Sequence, residues 1–393
     1  MFKIEKNILD WIERNLMGIT AVVGTIFSIW IRYMFRDIIS GDYRAFLEGW
    51  YDEIYAGGGI KSLDTQVGNY NFLYQFCIAV MTYIPIKSLY AYKILSAIFD
   101  LFLAVTTARM AGLLCEEHRE SSMMTAYFMV LFSPITILNS SAWAQCDSIY
   151  VFWAVAALYG LLKERYAIAL LCLGMSFAFK LQAVFILPFF LFVYFAGKKF
   201  SIIQFLLVPG AMLATELPIL CYDRSIFEII EVYLGQTNTY TSVSMNYPSF
   251  WTIFLDAGNS AFYEAHKPAA MLLTVVILAA LMLWWIERKI ALKRQNLVYM
   301  AFLCAYACVL FLPQMHERYG YLYEILAILL ALVNKKTIKL MIPLYMITLI
   351  TYGHYLFGLS YGVNVYMGIA NTVIWFGYIG EFARGNGREA PSK

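Results

Sequence analysis

The topology of this chain depends on the segment YNFLYQFCIAVMTYIPIK, residues 70–87, which resembles a membrane span but is short. It holds about 17 residues before Lys87, with Pro85 among them, whereas a helix needs about 20 mostly apolar residues to cross a bilayer. If this segment crosses, every later connection of the chain changes sides. The rest of the sequence therefore has to decide its placement.

The composition is that of a polytopic membrane protein. Of the 393 residues, 61% are hydrophobic and 14% are charged, and the mean hydropathy is +0.65. We predict an all-α membrane helical bundle of about twelve spans that forms a single domain over residues 1–393. The predicted spans lie near residues 15–37, 90–114, 122–139, 148–162, 166–180, 183–197, 200–220, 268–287, 296–312, 320–333, 338–357 and 363–382. The small net charge of +3 gives no reason to expect a nucleic-acid partner.

Lysine and arginine are enriched on the cytoplasmic side of membrane proteins. If residues 70–87 do not cross and the N-terminus is cytoplasmic, 19 of the 29 Lys and Arg residues fall inside. If the segment crosses, the groups KER, GKK, ERKIALKR and NKKTIK fall outside. The sequence thus predicts a re-entrant or interfacial segment, cytoplasmic N- and C-termini, a first external loop at 38–89 with surface helices, and a second external loop at 222–267.

The first external loop contains a concentration of charge, SGDYRAFLEGWYDEI at residues 40–54. Aromatic and apolar residues recur there at helical spacing opposite a charged face, which predicts an amphipathic helix on the membrane surface. Asp42 lies directly before this helix, where it can cap free backbone N–H groups or act chemically. Ala45 at the third helical position excludes a capping box. Both roles stay open for Asp42, and Tyr43 beside it is a candidate substrate contact.

A second polar group is SAWAQCDSIY, residues 141–150, between two predicted spans. Trp143, Gln145 and Asp147 bring together an aromatic face, an amide and a carboxylate, and such a set can bind a sugar. The structural alternative is that Asp147 or Ser148 caps the next helix and Trp143 belongs to the aromatic belt.

A third group is Lys180 with Gln182, in FAFKLQAVFILP at the outer end of a span. A charge in the hydrocarbon costs at least about 2.5 kcal/mol, so Lys180 should pair, bind an anion or extend to the interface.

Charged residues near two other spans have simpler interpretations. We expect Arg32 and Arg36, near the outer end of the first span, to reach the headgroups. We expect Asp100, inside a span, to face the bundle and form hydrogen bonds there.

The fourth group follows Pro313 in FLPQMHERYGYLY, where His316, Glu317, Arg318 and Tyr319 form a short external turn between apolar segments. Arg318 is a good donor for phosphate oxygens, and the structural alternative is a solvated turn. The HExxH zinc motif is absent, so we predict no metal ligands. Two carboxylates are able to hold a divalent ion, but a donor with one phosphate and cations nearby does not require one.

All four groups fall on the external side of the predicted topology. Carboxylates, cations and aromatic residues beside a membrane surface suit the transfer of a group from a lipid-linked phosphate to a hydroxyl. A carboxylate would take the proton of the attacking hydroxyl, and cations would stabilise the departing phosphate. The lipid bilayer, a lipid-linked donor and a glycan or glycolipid acceptor are the expected partners.

The same order of motifs resembles the GT-C superfamily of integral membrane glycosyltransferases, in particular bacterial proteins related to GPI-anchor mannosyltransferases. The motifs are GDY at 41–43, SAWAQCDSIY, FKLQ at 179–182 and PQMHERY at 313–319. The resemblance implies a polyprenyl-phosphate-sugar donor such as an undecaprenyl phosphate sugar, and a cell-envelope acceptor outside the bacterial plasma membrane. It also implies that Asp42 is the general base. Ala144 departs from the Trp-Gly-Gln that we associate with the second motif.

Two other functions use similar ingredients. A transporter or lipid flippase also has many spans and intramembrane charges, but its site usually lies at the bilayer midplane between repeats, and no repeat is evident here. A polysaccharide polymerase or ligase would move whole chains from a pyrophosphate lipid. The length of the product separates this last function from single-sugar transfer.

Overall fold

The computed structural model describes residues 2–238, 240–254 and 257–386, and most of these residues are helical. The α-helices are α1 Lys3–Met34, α2 Glu48–Ala56, α3 Phe72–Met81, α4 Ser88–Leu114, α5 Arg119–Leu131, α6 Pro134–Ile137, α7 Asp147–Leu162, α8 Tyr166–Phe179, α9 Leu187–Gly197, α10 Leu207–Glu216, α11 Glu228–Asn238, α12 Ser260–Glu287, α13 Arg294–Phe311, α14 Tyr321–Val333, α15 Ile338–Phe357 and α16 Val365–Asn386. Two short strands, β1 Ser244–Met245 and β2 Met315–His316, form a parallel pair. The all-α architecture that the composition predicts is confirmed.

Six helical segments of the described ranges are long and apolar enough to cross a membrane, and seven if one bent pair is a single span. They are Lys3–Met34, Ser88–Leu114, Ile202–Tyr222, Ser260–Glu287, Arg294–Phe311 and Lys335–Phe357, with the bent pair Glu116–Leu131 and Pro134–Ala142. The chain is therefore an integral membrane protein. Each of the twelve predicted spans overlaps a helix, but several of these helices hold only 10–17 residues, so twelve crossings remain a prediction.

The segment at residues 70–87 contains one of these short helices. α3 holds 10 residues, so it is about 15 Å long, half the thickness of the hydrocarbon core. The chain leaves the helix before Pro85, whose ring and missing N–H oppose helix continuation. α3 packs against α2 and α10. A helix of this length does not span a bilayer by itself.

The centre of the bundle is formed by α4, α7, α8, α13 and α14. Close approach between the helices depends on small residues, as is usual in membranes. Gly160 lies against the backbone of Ala169, and a Cβ atom added to Gly174 would lie 2.5 Å from the carbonyl oxygen of Val208. α13 is almost completely enclosed, so it forms the axis around which the other helices pack.

Arg32 corrects one prediction. Its guanidinium does not reach the headgroups but is buried in the bundle, 3.0 Å from the carboxylate of Asp100. It also donates to the carbonyl of Leu131 and to Ser28, so each of its three nitrogens has at least one acceptor. Asp100 faces the bundle as predicted. Arg36 is the more exposed of the two arginines and lies over the ring of Tyr33.

Charges are separated between the two ends of the bundle. At one end, Arg294 pairs with Glu116 at 2.8 Å and Lys199 pairs with Glu164 at 2.6 Å, within the connections that the charge pattern assigns to the cytoplasm. The four polar groups of the sequence meet at the other end, where α1, α8, α13 and α15 end and α7 and α14 begin.

The region at 222–267 packs over this second end. β1 pairs with β2, and the N–H of Gln314 donates to the carbonyl of Val243 at 3.0 Å. Trp251 donates its indole N–H to the carbonyl of Phe311 at 2.7 Å. Arg224 ties the same region to the first external loop through the carbonyl of Leu63 at 2.9 Å. Both predicted external loops therefore contact the segments that carry the polar groups.

Candidate active site

Asp42 does not cap the helix that follows it. The chain enters a π-helical turn at Tyr43–Leu47, and the Asp42 side chain makes no hydrogen bond to that backbone. Ser40 takes this role, because its hydroxyl accepts from the N–H of Tyr43 at 3.1 Å and donates to the carbonyl of Trp143 at 2.7 Å. The capping role considered for Asp42 is therefore wrong, and its carboxylate is available for other contacts.

The Asp42 carboxylate is held by donors from distant parts of the chain. Trp143 Nε1 donates to Oδ2 at 3.0 Å and Gln145 Nε2 donates to the same oxygen at 2.6 Å. The hydroxyl of Tyr355, at the end of α15, donates to Oδ1. Arg318 Nη1 lies 3.3 Å from Oδ2. The carboxylate is thus fixed in orientation while the residue keeps some exposure.

The backbone between Trp143 and Gln145 explains how both reach Asp42. A π-helical turn at Leu138–Ala142 ends just before them, and Ala144 adopts a left-handed conformation with φ of 65°. Glycine adopts this conformation without steric cost, which accounts for a Trp-Gly-Gln preference at such a turn. Ala144 adopts this left-handed conformation although it has a Cβ atom, and Gln145 contacts Asp42. Trp143 is fully buried, so its aromatic-belt role is wrong.

Asp147 forms the second anionic centre, at the start of α7. It is completely buried and accepts a hydrogen bond from Asn139 Nδ2 at 2.9 Å. Lys180 Nζ forms an ion pair with its Oδ1 atom. Lys180 is also buried, so it pairs rather than extending to the interface. The rings of Tyr70 and Tyr150 each lie 5.8 Å from its ammonium group.

Arg318 joins the two carboxylates. Its Nη1 atom lies 3.3 Å from Asp42 and its Nε atom lies 3.4 Å from Asp147. The guanidinium also lies 5.7 Å from the ring of Trp143 and 5.8 Å from that of Tyr319. Two carboxylates and two cations thus form one contiguous cluster, in which a single planar group connects the two anions.

His316 and Glu317 lie beside this cluster in a loop between two helices. Burial and the nearby Arg318 lower the pKa of His316 to about 3, so the imidazole is neutral at physiological pH. Burial raises the pKa of Glu317 to about 7, although Arg318 opposes this shift. Within the described residues, no three His, Cys, Asp or Glu side chains are grouped to hold a metal ion.

A cavity of about 480 Å³ adjoins the cluster. Lys180, Gln182, His316, Arg318 and Tyr319 line it, so two of the predicted motifs face one space. Asp42, Trp143 and Gln145 are not among the lining residues, and Arg318 connects the cavity wall to Asp42 at 3.3 Å. The cluster therefore has one face that borders the cavity and one face that holds Asp42.

The structure brings together nine of the eleven predicted site residues, places a tenth on the cavity wall and leaves one apart. The nine are Asp42, Trp143, Gln145, Asp147, Lys180, His316, Glu317, Arg318 and Tyr319, with Gln182 on the cavity wall. Tyr43 lies outside the cluster, because its ring packs on Tyr92 and its hydroxyl bonds to Ser88 at 2.7 Å. Sequence reasoning missed three residues of the site. Asn139 donates to Asp147, Tyr355 donates to Asp42, and Lys267 lines the cavity.

Comparison with protein-family models and with curated proteins gives no match to this chain. The resemblance to GT-C enzymes therefore rests on the four short motifs alone.

Proposed function

We propose that this protein is a membrane glycosyltransferase of GT-C type. It transfers a single sugar from a polyprenyl-phosphate-linked donor to a hydroxyl of a cell-envelope glycan or glycolipid, on the outer face of a bacterial plasma membrane. The observation that carries this proposal is the link between Asp42 and Asp147 through Arg318, at the wall of a cavity that Lys180 also lines. Acid–base and phosphate-binding groups are thus side by side.

Asp42 is suited to the role of general base. A carboxylate has about four lone-pair positions, and Oδ1 of Asp42 accepts a hydrogen bond from Tyr355 alone. A second position on Oδ1 is therefore available to the hydroxyl of an acceptor. Trp143 and Gln145 fix the orientation of the carboxylate through Oδ2, which favours productive geometry.

Lys180 and Arg318 are suited to bind the phosphate of the donor. In the proposed step the acceptor oxygen forms a bond to the anomeric carbon, and the bond from that carbon to the phosphate oxygen breaks. The electron pair leaves with the phosphate, and the acceptor proton moves to Asp42. Cations beside the leaving oxygen stabilise the negative charge that develops there. Trp143 is stacked on Tyr355 at 4.6 Å, which completes a rigid aromatic wall next to Asp42.

The first test is sugar transfer by the purified protein in lipid vesicles, supplied with a panel of radiolabelled undecaprenyl phosphate sugars and cell-envelope glycan. We expect addition of one sugar per acceptor. Asp42→Asn should lower the rate at least about a hundredfold, because the amide does not accept the proton. Asp52→Asn is the matched control, since Asp52 is an exposed carboxylate on α2.

Three outcomes would contradict the proposal. One is full transfer by Asp42→Asn. Another is the addition of whole chains, which would indicate a polymerase or ligase. The third is accumulation of lipid or solute across the vesicle membrane with no glycan product, which would indicate a flippase or transporter.

A further inference from the structure

A third cation, Lys267, lines the cavity and lies outside the four sequence motifs. Lys267 on α12 lines the same space as Lys180 and Arg318. Its ammonium group lies 5.2 Å from the ring of Tyr263, one helical turn earlier. Within the described ranges, no carboxylate lies at ion-pair distance from Lys267.

The charges around the cavity are unequal. Lys180 is paired with Asp147, and Arg318 is shared between Asp147 and Asp42. These two cations and two carboxylates compensate one another. Glu317 lies 4.0 Å from Arg318 and does not line the cavity, whereas Lys267 lines it without a carboxylate at ion-pair distance among the described residues. A cation in a largely apolar space is stabilised when an anion joins it. The cavity therefore favours a ligand with negative charge.

Another part of the cavity wall is apolar, beside polar side chains such as Asn69 and Gln236. Val184, Phe185 and Leu312 line it, and Met271 lies four residues after Lys267 on the same face of α12. The next turn of α12 exposes Leu272 and other large apolar side chains at the surface of the bundle, where lipid chains lie. A ligand can thus have its anionic group at Lys267 and its hydrocarbon chain along Met271 toward the bilayer.

We propose that Lys267 binds the phosphate of an anionic lipid whose chain lies along Met271 and leaves the cavity beside α12. That this lipid is the sugar donor rests on the proposed function, but the presence of a lipid phosphate site does not. Inorganic phosphate shares the charge, yet it would leave the apolar wall and most of the 480 Å³ cavity without contacts. The hydrocarbon chain therefore contributes to binding as well as the phosphate.

The test is equilibrium binding to the purified full-length protein in detergent, with undecaprenyl phosphate, undecaprenol and inorganic phosphate as separate probes. We expect Lys267→Met to weaken binding of undecaprenyl phosphate at least about tenfold, because a charge-assisted hydrogen bond is lost. Lys267→Arg should retain most of the affinity, and binding of undecaprenol should not change. Lys61→Met removes an exposed cation from the first external loop and is the matched control.

Two results would overturn the inference: unchanged binding of undecaprenyl phosphate by Lys267→Met, or binding of inorganic phosphate as tight as that of the lipid. Binding and transfer are measured separately, so their failures are distinguishable. If Lys267→Met binds undecaprenyl phosphate as tightly as wild type does, and the wild-type protein transfers sugar normally, only the lipid site is contradicted. Lipid binding that depends on Lys267, without transfer from any donor, would contradict the glycosyltransferase proposal alone.

Discussion

Two of the buried groups of charged residues in the described part of the bundle are built differently. In the first, Arg32 and Asp100 form a single ion pair at 3.0 Å, and Arg32 also donates to Ser28 and Leu131. Each of the three nitrogens of this guanidinium donates to an acceptor, and neither Arg32 nor Asp100 lines the cavity beside Arg318. Such a pair holds α1 against α4.

In the second group, one guanidinium is divided between two carboxylates at longer distances. Arg318 lies 3.3 Å from Asp42 and 3.4 Å from Asp147, and the cavity adjoins it. Two enclosed oxygens have no hydrogen-bond partner within the described residues: Gln182 Oε1, whose residue lines the same cavity, and Glu317 Oε2, whose residue lies 4.0 Å from Arg318. Burial and pairing are common to both groups. The difference is the unused hydrogen-bonding capacity next to an open space, which supports the proposed binding site.

The largest expected effect in this comparison is the loss of Arg318. Arg318→Gln removes the donor that joins Asp42 and Asp147, and we expect transfer to fall about 10²–10³-fold. Arg318→Lys keeps the charge but not the planar fork, so it should recover only part of the rate. The measurement is the initial rate of transfer, with the unfolding midpoint as a check of folding. A folded Arg318→Gln protein with more than half of the wild-type rate would show that the second group is also only structural.

The next effect tests the first group. Arg32→Met leaves Asp100 as an unpaired buried carboxylate, so we expect the free energy of unfolding to fall by about 3–5 kcal/mol. The rate of transfer per folded molecule should stay unchanged. Arg36→Gln, at the more exposed neighbouring arginine, is the control and should change stability by less than about 0.5 kcal/mol.

Denaturant or thermal unfolding in detergent measures this change. Replacement of both partners, Arg32→Met with Asp100→Leu, should recover much of the lost stability, because no buried charge remains without a partner. Equal stability of Arg32→Met and wild type would contradict the structural role of the pair.

The smallest expected effect concerns the turn that aims Gln145 at Asp42. Ala144 has a φ of 65°, a conformation that costs a residue with a Cβ atom on the order of 1–2 kcal/mol. Ala144→Gly should therefore raise the free energy of unfolding by up to about 1 kcal/mol. The greater backbone freedom of glycine in the unfolded chain offsets part of this gain. Transfer should not change. A lower stability in Ala144→Gly would contradict strain at this turn.

Much of the site was predictable because its residues stand out from an apolar sequence. Asp42, Asp147, Lys180 and Arg318 are ionisable groups at predicted span ends, and the charge pattern assigned all four to one side. Their contacts are long-range in the sequence, so their pairing was not predictable. Lys180 and Asp147, for example, are far enough from the bilayer centre to allow interfacial positions, and only the fold shows that they are buried together.

The residues that were missed resemble ordinary parts of a membrane helix. Tyr355 near the end of α15 fits an aromatic belt, and Asn139 lies in a turn before SAWAQCDSIY. Lys267 precedes an apolar span, where lysine is common at the interface. The wrong prediction that Arg32 reaches the headgroups has the same origin, because a cation near the end of a span is expected at the interface unless its partner is known. Asp100 was the available signal for that partner.

The count of spans shows the corresponding limit for the fold. Each of the twelve apolar runs that hydropathy located lies on a helix of the structure, since apolar runs are read directly from the sequence. Whether a helix such as α7, with 16 residues, crosses the bilayer depends on how neighbouring helices cover its ends. That information is three-dimensional, so helix existence was predictable and crossing was not.

The most direct measurement compares Asp42→Asn with Arg32→Met in the same membrane preparation, recording both the unfolding midpoint and the rate of transfer from undecaprenyl phosphate sugars. We predict that Asp42→Asn keeps the wild-type midpoint and loses transfer, whereas Arg32→Met has a lower midpoint and keeps its transfer rate per folded molecule. If both variants lose stability and transfer in proportion, the two groups of charges do not differ in function, and Asp42 is not the general base.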